Sequence, residues 1–130
     1  YVNHSCSSNT LSTGYRFEIA VRDIYPGDEI TDDYGMHNGL AEMNCCCQSD
    51  NCRKLISQDA FHSNIKRWDD EVRKALSSLH RVAQPLWKYM HEEINKVIMA
   101  DSDFNRHYRS VAQLKYNGME SNRLAHKISS

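Results

Sequence analysis

Four of the five cysteines of this chain lie in one short stretch, and their spacing is the strongest chemical signal in the sequence. Cys45 and Cys47 flank one residue and Cys52 follows after four more, which gives a C-x-C-x4-C pattern. Thiolates this close together either capture a metal ion or form disulfides, and three of them still need a fourth ligand to complete a tetrahedral zinc site. Cys6, the cysteine outside the stretch, could supply that ligand and tie the start of the chain to this loop.

The composition is that of an ordinary globular domain. The chain has 130 residues, of which 40% are hydrophobic and 25% charged, and this length is sufficient for one domain with its own core. No run approaches the roughly 20 apolar residues that a membrane-spanning helix needs, so we expect no membrane partner. The odd number of cysteines and their clustering favour a reducing compartment over a secreted disulfide framework.

The charge is distributed unevenly along the chain. Residues 1–52 carry two basic and eight acidic residues, a net of −6, whereas residues 53–130 carry fourteen basic and nine acidic residues, a net of +5. The acidic front should attract a cationic partner, such as a peptide that bears lysine. The basic part is most simply a solvated surface, so we expect no direct binding of nucleic acid.

Two short strands are predicted near the start of the chain. Residues 16–22 alternate between polar and apolar side chains, which predicts a half-buried strand. The segment Tyr25-Pro26-Gly27-Asp28 has the chemistry of a turn, and residues 29–31 follow it as a second strand. The apolar face of the first strand holds Phe17, Ile19 and Val21.

Beyond residue 56 the apolar residues recur every three or four positions, which predicts three helices that form a core together. Pro85 ends the first helix, residues 101–103 interrupt the second, and Asn117-Gly118 stops the third. The histidines in this part are spaced irregularly, which indicates surface residues rather than a metal site. The three stripes are Phe61, Ile65, Trp68, Val72, Leu76, Leu79 and Val82; then Leu86, Met90, Ile94 and Val97; then Phe104, Tyr108, Val111 and Leu114.

Three stretches resemble motifs of the SET-domain protein lysine methyltransferases. Asn3-His4-Ser5-Cys6, with Asn9 three residues on, resembles the N-H-S-C-x-P-N motif, although Ser8 stands where Pro is usual. Residues 22–35 resemble the second signature of the family, R-D-I-x-x-G-E-E-L-T-x-D-Y-G. The cysteine stretch resembles the post-SET zinc motif. The three motifs come in the order of the family and cover residues 1–56, somewhat under half of the chain.

The resemblance implies an α+β fold with four parts. Residues 1–43 would be the C-terminal part of a SET domain, a β-clip of small β-sheets with a knotted crossing, and residues 44–56 would be the zinc-binding post-SET loop. A helical extension, similar in style to that of bacterial members, would cover residues 57–118, and residues 119–130 would be a polar tail. The Gly-x-Gly cofactor loop of the family has no counterpart in this sequence, so we expect the chain by itself to be inactive.

Members of this family move a methyl group from S-adenosylmethionine to the ε-nitrogen of a protein lysine by direct displacement. The resemblance implies the same reaction here, with a protein that exposes a lysine as substrate. Free lysine has a pKa of about 10.4, so a dry channel must favour the neutral amine. Tyr34 matches the active-site tyrosine that orients this amine. The positions that match cofactor contacts are Tyr1, Asn3, His4 and Tyr34.

The resemblance also implies a structural zinc ion without an open coordination position and without a role in the chemistry. Cys46 is then a spare thiol. Asp32 stands where many members carry Phe or Tyr, a ring that limits how many methyl groups the lysine receives, so the product state is left open. The implied zinc ligands are Cys6, Cys45, Cys47 and Cys52.

An alternative from a different functional class is a non-catalytic, zinc-stabilised interaction module derived from a SET domain, whose helices recruit a partner. Asp32 and Ser8 favour this alternative, whereas Tyr34 and the Asn3-His4 pair favour the enzyme. The sequence leaves the oligomeric state open. The expected compartment is the cytoplasm for a bacterial protein and the nucleus or cytoplasm for a eukaryotic one.

Overall fold

A computed structural model describes residues 2–37, 41–92 and 108–115. Within these residues six short strands form three two-stranded sheets, and one α-helix packs against them, so the expected combination of small sheets and a helix is confirmed. The knotted crossing stays a prediction. The strands are β1 (Asn3–His4), β2 (Thr10–Ser12), β3 (Glu18–Ala20), β4 (Thr31–Asp32), β5 (Met43–Asn44) and β6 (Leu55–Ile56), and the helix is α1 (Phe61–Leu76). Short 3-10 helices lie at Tyr34–Met36, Leu79–Arg81, Trp87–Tyr89 and Val111–Leu114.

The first predicted strand is confirmed in its alternation, although it is shorter than expected. Strand β3 pairs antiparallel with β2, with Leu11 opposite Ile19. Phe17, Ile19 and Val21 are half-buried against the main hydrophobic core, whereas Glu18 and Ala20 between them are exposed. The period of two therefore predicted correctly which face of this strand is covered.

The second predicted strand begins two residues later than expected, because a side chain takes the place of strand pairing. The Asn9 side-chain amide donates to the carbonyl of Glu29 at 2.8 Å, and its oxygen accepts from the Thr31 N–H at 2.8 Å. Strand β4 then starts at Thr31 and runs parallel to β1, with Asn3 opposite Thr31 and His4 opposite Asp32.

Helix α1 forms where its stripe of apolar residues meets the sheets. Phe61, Trp68, Val72 and Leu76 share one face and are at most 3% exposed. Arg73 and Lys74 lie in the last turn, where positive charge complements the helix dipole. The prediction that this helix continues to Val82 is wrong. The Ser77 hydroxyl donates to the Lys74 carbonyl at 2.7 Å, and this side-chain hydrogen bond competes with continuation of the helix. Val82 is 62% exposed.

Most of the second and third predicted helices lie outside the described residues, and the described part has 3-10 helices at Trp87–Tyr89 and Val111–Leu114 and an α-helical residue at Glu92. Leu86 is 70% exposed and is followed by a 3-10 helix of three residues, so the second apolar stripe does not meet a core there. Val111 begins a 3-10 helix of four residues in the region of the third prediction. The remaining stripe positions Ile94, Val97 and Phe104 lie outside the described residues.

The segment Tyr108–Val111 is fixed to the middle of α1 by a single carboxylate. Asp69 accepts hydrogen bonds from the Tyr108 hydroxyl at 2.8 Å, the Ser110 hydroxyl at 2.7 Å and the Val111 N–H at 2.9 Å. On its other side the segment touches Gly14, where a Cβ atom would lie 2.3 Å from the Arg109 carbonyl oxygen. A glycine is needed at this position because two backbones meet there.

The buried apolar residues in the described ranges form two separate clusters. The main core joins α1, the β2–β3 sheet and Val111, and its buried members include Leu11, Tyr15 and Trp68. The smaller core consists of Cys6, Cys45 and Ile56, with Tyr34 and two further cysteines packed against it. No helix among the described residues is long and apolar enough to cross a membrane.

Candidate active site and metal centre

The parallel pairing of β1 with β4 brings the two predicted motifs together. Tyr34 follows β4 directly and begins a 3-10 helix, so its ring lies beside β1. Its hydroxyl donates to the Val2 carbonyl at 2.6 Å, and its backbone N–H donates to His4 Nδ1 at 3.1 Å. The ring centroids of Tyr34 and His4 are 5.3 Å apart. Two of the predicted site residues are therefore in direct contact.

The remaining predicted cofactor residues are Asn3 and Tyr1. Asn3 is exposed, and its amide donates to the Glu29 carboxylate at 2.5 Å. Tyr1 lies outside the described residues. The exposed amide of Asn3 and the half-buried Tyr34 offer polar groups to a ligand that carries amino and carboxylate groups, so these residues fit S-adenosylmethionine in kind.

His4 has its two ring nitrogens committed in opposite directions. Nδ1 lies 3.1 Å from the Tyr34 backbone nitrogen and 3.2 Å from the Asp32 carbonyl oxygen, whereas Nε2 lies 3.4 Å from Cys6 Sγ. The ring therefore connects the tyrosine to the cysteine cluster, which we define as the side chains of Cys6, Cys45, Cys47 and Cys52.

The structure brings three of the four predicted zinc ligands together, Cys6, Cys45 and Cys47, and the fourth, Cys52, contacts Cys45. Cys45 Sγ lies 3.8 Å from Cys6 Sγ and 3.7 Å from Cys52 Sγ. Cys47 Sγ accepts a hydrogen bond from the Cys6 N–H at 3.4 Å. None of the five cysteines is in a disulfide, and Cys46 is exposed.

These distances fit a tetrahedral zinc ion. With Zn–S bonds of about 2.3 Å, two ligands at the tetrahedral angle have their sulfur atoms about 3.8 Å apart. His4 is a further possible metal ligand, which the sequence analysis did not predict. Its ring nitrogen and the sulfur atoms of Cys6, Cys45 and Cys47 all lie within 4.8 Å of one another. The site therefore offers three central thiols, with Cys52 or His4 as the fourth ligand.

The thiols of the cluster differ in acidity. Burial raises the pKa of Cys45 to about 12. Burial also acts to raise the pKa of Cys47, but hydrogen bonds from Ser49 and from the Cys6 N–H outweigh it and lower this pKa to about 5. A thiolate at Cys47 beside a protonated thiol at Cys45 is suited to metal capture, in which the Cys45 proton is released as the ion binds.

A buried carboxylate that the sequence analysis did not single out lies behind the tyrosine. Asp33 is fully buried, and its oxygens accept hydrogen bonds from the Gly35 N–H at 3.0 Å, Trp68 Nε1 at 2.8 Å and Arg67 Nη2 at 2.9 Å. It also pairs with the guanidinium of Arg53. Burial acts to raise the pKa of Asp33. The positive charge of Arg53 and the hydrogen bonds from Arg53, Trp68 and Gly35 outweigh burial and hold this pKa below its ordinary value.

Asp32, the predicted departure from the family pattern, is a second buried carboxylate. It is 3% exposed, and its Oδ2 lies 2.7 Å from Nε2 of the half-exposed His37. The hydrogen bond to Asp32 raises the pKa of His37 against the effect of burial. The His37 ring stands edge-on to the ring of Tyr34, with centroids 5.5 Å apart. The Asp32–His37 pair therefore lies beside Tyr34, and Asp32 stands at the sequence position where many members of the family carry an aromatic ring.

Comparisons with known proteins agree with the motifs. The family model of the SET domain matches residues 1–35, the part that holds β1 to β4 and Tyr34. The chain is 41% identical over 59 residues to a variant-silencing SET domain-containing protein of Plasmodium falciparum (isolate 3D7). It is 30% identical over 79 residues to the histone-lysine N-methyltransferase Set2 of Drosophila melanogaster. No solved structure gives a significant match.

The extent of these matches is limited to part of each protein. They cover 40% and 55% of this chain, and 2% and 3% of the length of the two relatives. The resemblance to the SET-domain protein lysine methyltransferases is thereby confirmed, with residues 1–35 as SET-domain sequence. Both relatives are eukaryotic, and the likeness of the extension to bacterial members stays a prediction.

Proposed function

We propose that this chain is part of a protein lysine N-methyltransferase that uses S-adenosylmethionine. The observation that supports this most directly is the position of Tyr34, whose hydroxyl is held beside β1 by the Val2 carbonyl. The β1–β4 pairing that holds it joins the two motifs by which the SET family was identified.

The hydrogen bonds that the site residues already make determine which of their groups remain available for the reaction. S-adenosylmethionine, when bound, supplies a methyl group on a positively charged sulfur. The proton of the Tyr34 hydroxyl is committed to the Val2 carbonyl, so its oxygen keeps lone pairs that can accept an N–H from a lysine amine. Such a bond would aim the nitrogen lone pair at the methyl carbon, and alignment of this kind supplies a large part of a displacement rate.

The surface charge supports a basic protein as the substrate. Asp23, Asp28, Glu29 and Glu42 are exposed in the acidic front half of the chain, whose net charge is −6. A negative field attracts a segment rich in lysine and raises its rate of encounter, an effect that salt weakens. We propose a structural role for the metal, because the ligands described above leave no position open for a substrate.

Methyl transfer into proteins from labelled S-adenosylmethionine tests this function. The assay should use the full-length protein that contains these 130 residues and compare it with its Tyr34→Phe variant. We expect label on lysine, reduced at least a hundredfold in the variant, because only the hydroxyl that orients the amine is lost. Tyr25→Phe is the matched control, since Tyr25 is 65% exposed and should tolerate the change.

The alternative is a non-catalytic module, and the Asp32–His37 pair beside the tyrosine favours it. Such a module should not bind the cofactor. A full-length protein that shows neither label on lysine nor a rise in melting temperature with S-adenosylmethionine would contradict the enzyme and support the module.

A further inference from the structure

Arg53 lies between the cysteine cluster and the rest of the molecule. Its backbone N–H and its Nε–H both donate to Cys6 Sγ, at 3.3 Å and 3.4 Å. The outer end of the same guanidinium pairs with Asp33. With 18% of its side chain exposed, the arginine is largely withdrawn from solvent.

Asp33 connects Arg53 to helix α1. Its Oδ2 accepts from Arg67 Nη2 at 2.9 Å and from Trp68 Nε1 at 2.8 Å, and both donors belong to the helix. Its Oδ1 faces Arg53 and the Gly35 N–H. One carboxylate thus joins the cluster side, the turn that begins at Tyr34, and the helix.

The packing around this carboxylate is tight. A Cβ atom on Gly35 would lie 2.8 Å from Arg53 Nη1 and 3.2 Å from Trp68 Cζ2. The absence of a side chain at this position lets the arginine and the indole approach the same carboxylate. A shift of Arg53 would therefore displace both the turn that begins at Tyr34 and helix α1.

We propose that Arg53 is a positioning residue that couples metal binding at the cysteine cluster to the docking of α1 and to the turn that carries Tyr34. This inference rests on the proposed metal site. Two N–H···S bonds and a positive charge stabilise the Cys6 thiolate as a ligand, and ligand partners of this kind commonly set metal affinity. The coupling is reciprocal, because a helix that strengthens metal binding must itself be stabilised by the metal.

The first test is the absorption spectrum of the chain loaded with cobalt(II). Arg53→Lys keeps the positive charge and the backbone N–H but removes the Nε–H bond to sulfur. We expect the thiolate-to-cobalt charge-transfer band to move to longer wavelength, because the sulfur lone pair rises in energy. Arg67→Lys is the matched control: it loses a bond to the same Asp33 without touching Cys6, and its band should stay in place.

The second test measures the coupling itself. In a Trp87→Phe background, emission from the buried Trp68 reports on the docking of α1 while zinc is added. We expect Arg53→Lys to bind zinc about tenfold more weakly and to lose at least half of the zinc-dependent emission change. An unshifted cobalt band together with an unchanged zinc response in this variant would overturn the proposal.

A third measurement needs no substitution at Arg53. In the wild-type chain loaded with cadmium-113, magnetisation should pass from the metal through Cys6 Sγ to the backbone and Nε protons of Arg53. Metal bound with no such transfer would overturn the proposal while leaving the metal centre in place. A chain that binds none of these metals would overturn the metal centre and this coupling together, whereas methyl transfer by the full-length protein is tested independently through Tyr34.

Discussion

Asp33 shows how much of this structure depends on a single residue, because its two oxygens accept hydrogen bonds from separate parts of the chain. Asp33→Asn would place an amide nitrogen against the donors of Arg53, Arg67 or Trp68. We expect it to lower the free energy of unfolding by about 3 kcal/mol, the usual cost of removing one partner of a buried ion pair. Urea unfolding at neutral pH measures this, with the exposed Asp23→Asn as a control that should change little.

The same residue predicts a dependence on acid. The folded-state pKa of Asp33 is lowered, so its stabilisation is present above the unfolded pKa of about 3.9 and is lost as the pH falls through the folded value. The unfolding free energy of the wild type should therefore fall more steeply below about pH 4 than that of Asp33→Asn. Parallel curves for the two proteins would show that this carboxylate does not titrate as the contacts require.

His37 predicts a dependence of the opposite sign. The hydrogen bond to Asp32 raises its folded pKa, so its stabilisation is complete below the unfolded pKa of about 6.5 and is lost as the pH rises through the folded value. We expect Asp32→Asn to lower the titration midpoint of the His37 ring protons in NMR spectra. Asp59→Asn, at an exposed position, should leave that midpoint unchanged, and an unmoved midpoint in Asp32→Asn would contradict the pair.

The sequence identified residues whose chemistry is local and missed those whose role depends on the fold. Tyr34 and the cysteines belong to short patterns, so their spacing could be interpreted without knowing the structure. Asp33 looked like one more acidic residue in a run, and its partners Arg67 and Trp68 lie more than thirty positions along the chain. His4 was predicted for the cofactor, and its approach to Cys45 and Cys47, more than forty positions along the chain, depends on the fold.

At the scale of elements, helix α1 anchors the distant segment Tyr108–Val111 through Asp69. Asp69→Asn can no longer accept all three hydrogen bonds. We expect a loss of about 2 kcal/mol, because donors in a half-buried interface would be left unsatisfied. The neighbouring Asp70→Asn is the matched control, since Asp70 pairs with Lys66 on the exposed face of the same helix. Equal unfolding midpoints for the two variants in urea would contradict this anchoring role.

The same helix shows where periodicity stops being informative. Its buried positions from Phe61 to Leu76 were predicted correctly, because a stripe of large residues needs a partner surface and the β2–β3 sheet supplies one. The stripe continues in the sequence to Val82, but the described fold offers that residue no cover. A pattern of apolar residues indicates which face could be buried, and only the tertiary arrangement decides how far along the chain burial extends.

At the scale of the whole molecule, the two hydrophobic clusters differ in what holds them together. The main core buries large side chains such as Trp68, Phe61 and Leu11 and can stand on that burial. The smaller core has Ile56 as its one buried aliphatic residue within the described ranges, and its other buried members are thiols. We infer that the smaller core depends on the metal, whereas the main core does not.

Removal of zinc should therefore destabilise the smaller core more than the main core. We expect a chelator added to the zinc-loaded chain to abolish amide exchange protection in β5 and β6, because the cysteines no longer tie them to the loop at Cys6. Helix α1 should lose part of its protection through the Asp33–Arg53 connection and keep the rest through the main core. Cys46→Ser, which changes an exposed thiol, should respond like the wild type. Simultaneous loss of all protection in both regions would show instead that the metal holds the entire domain.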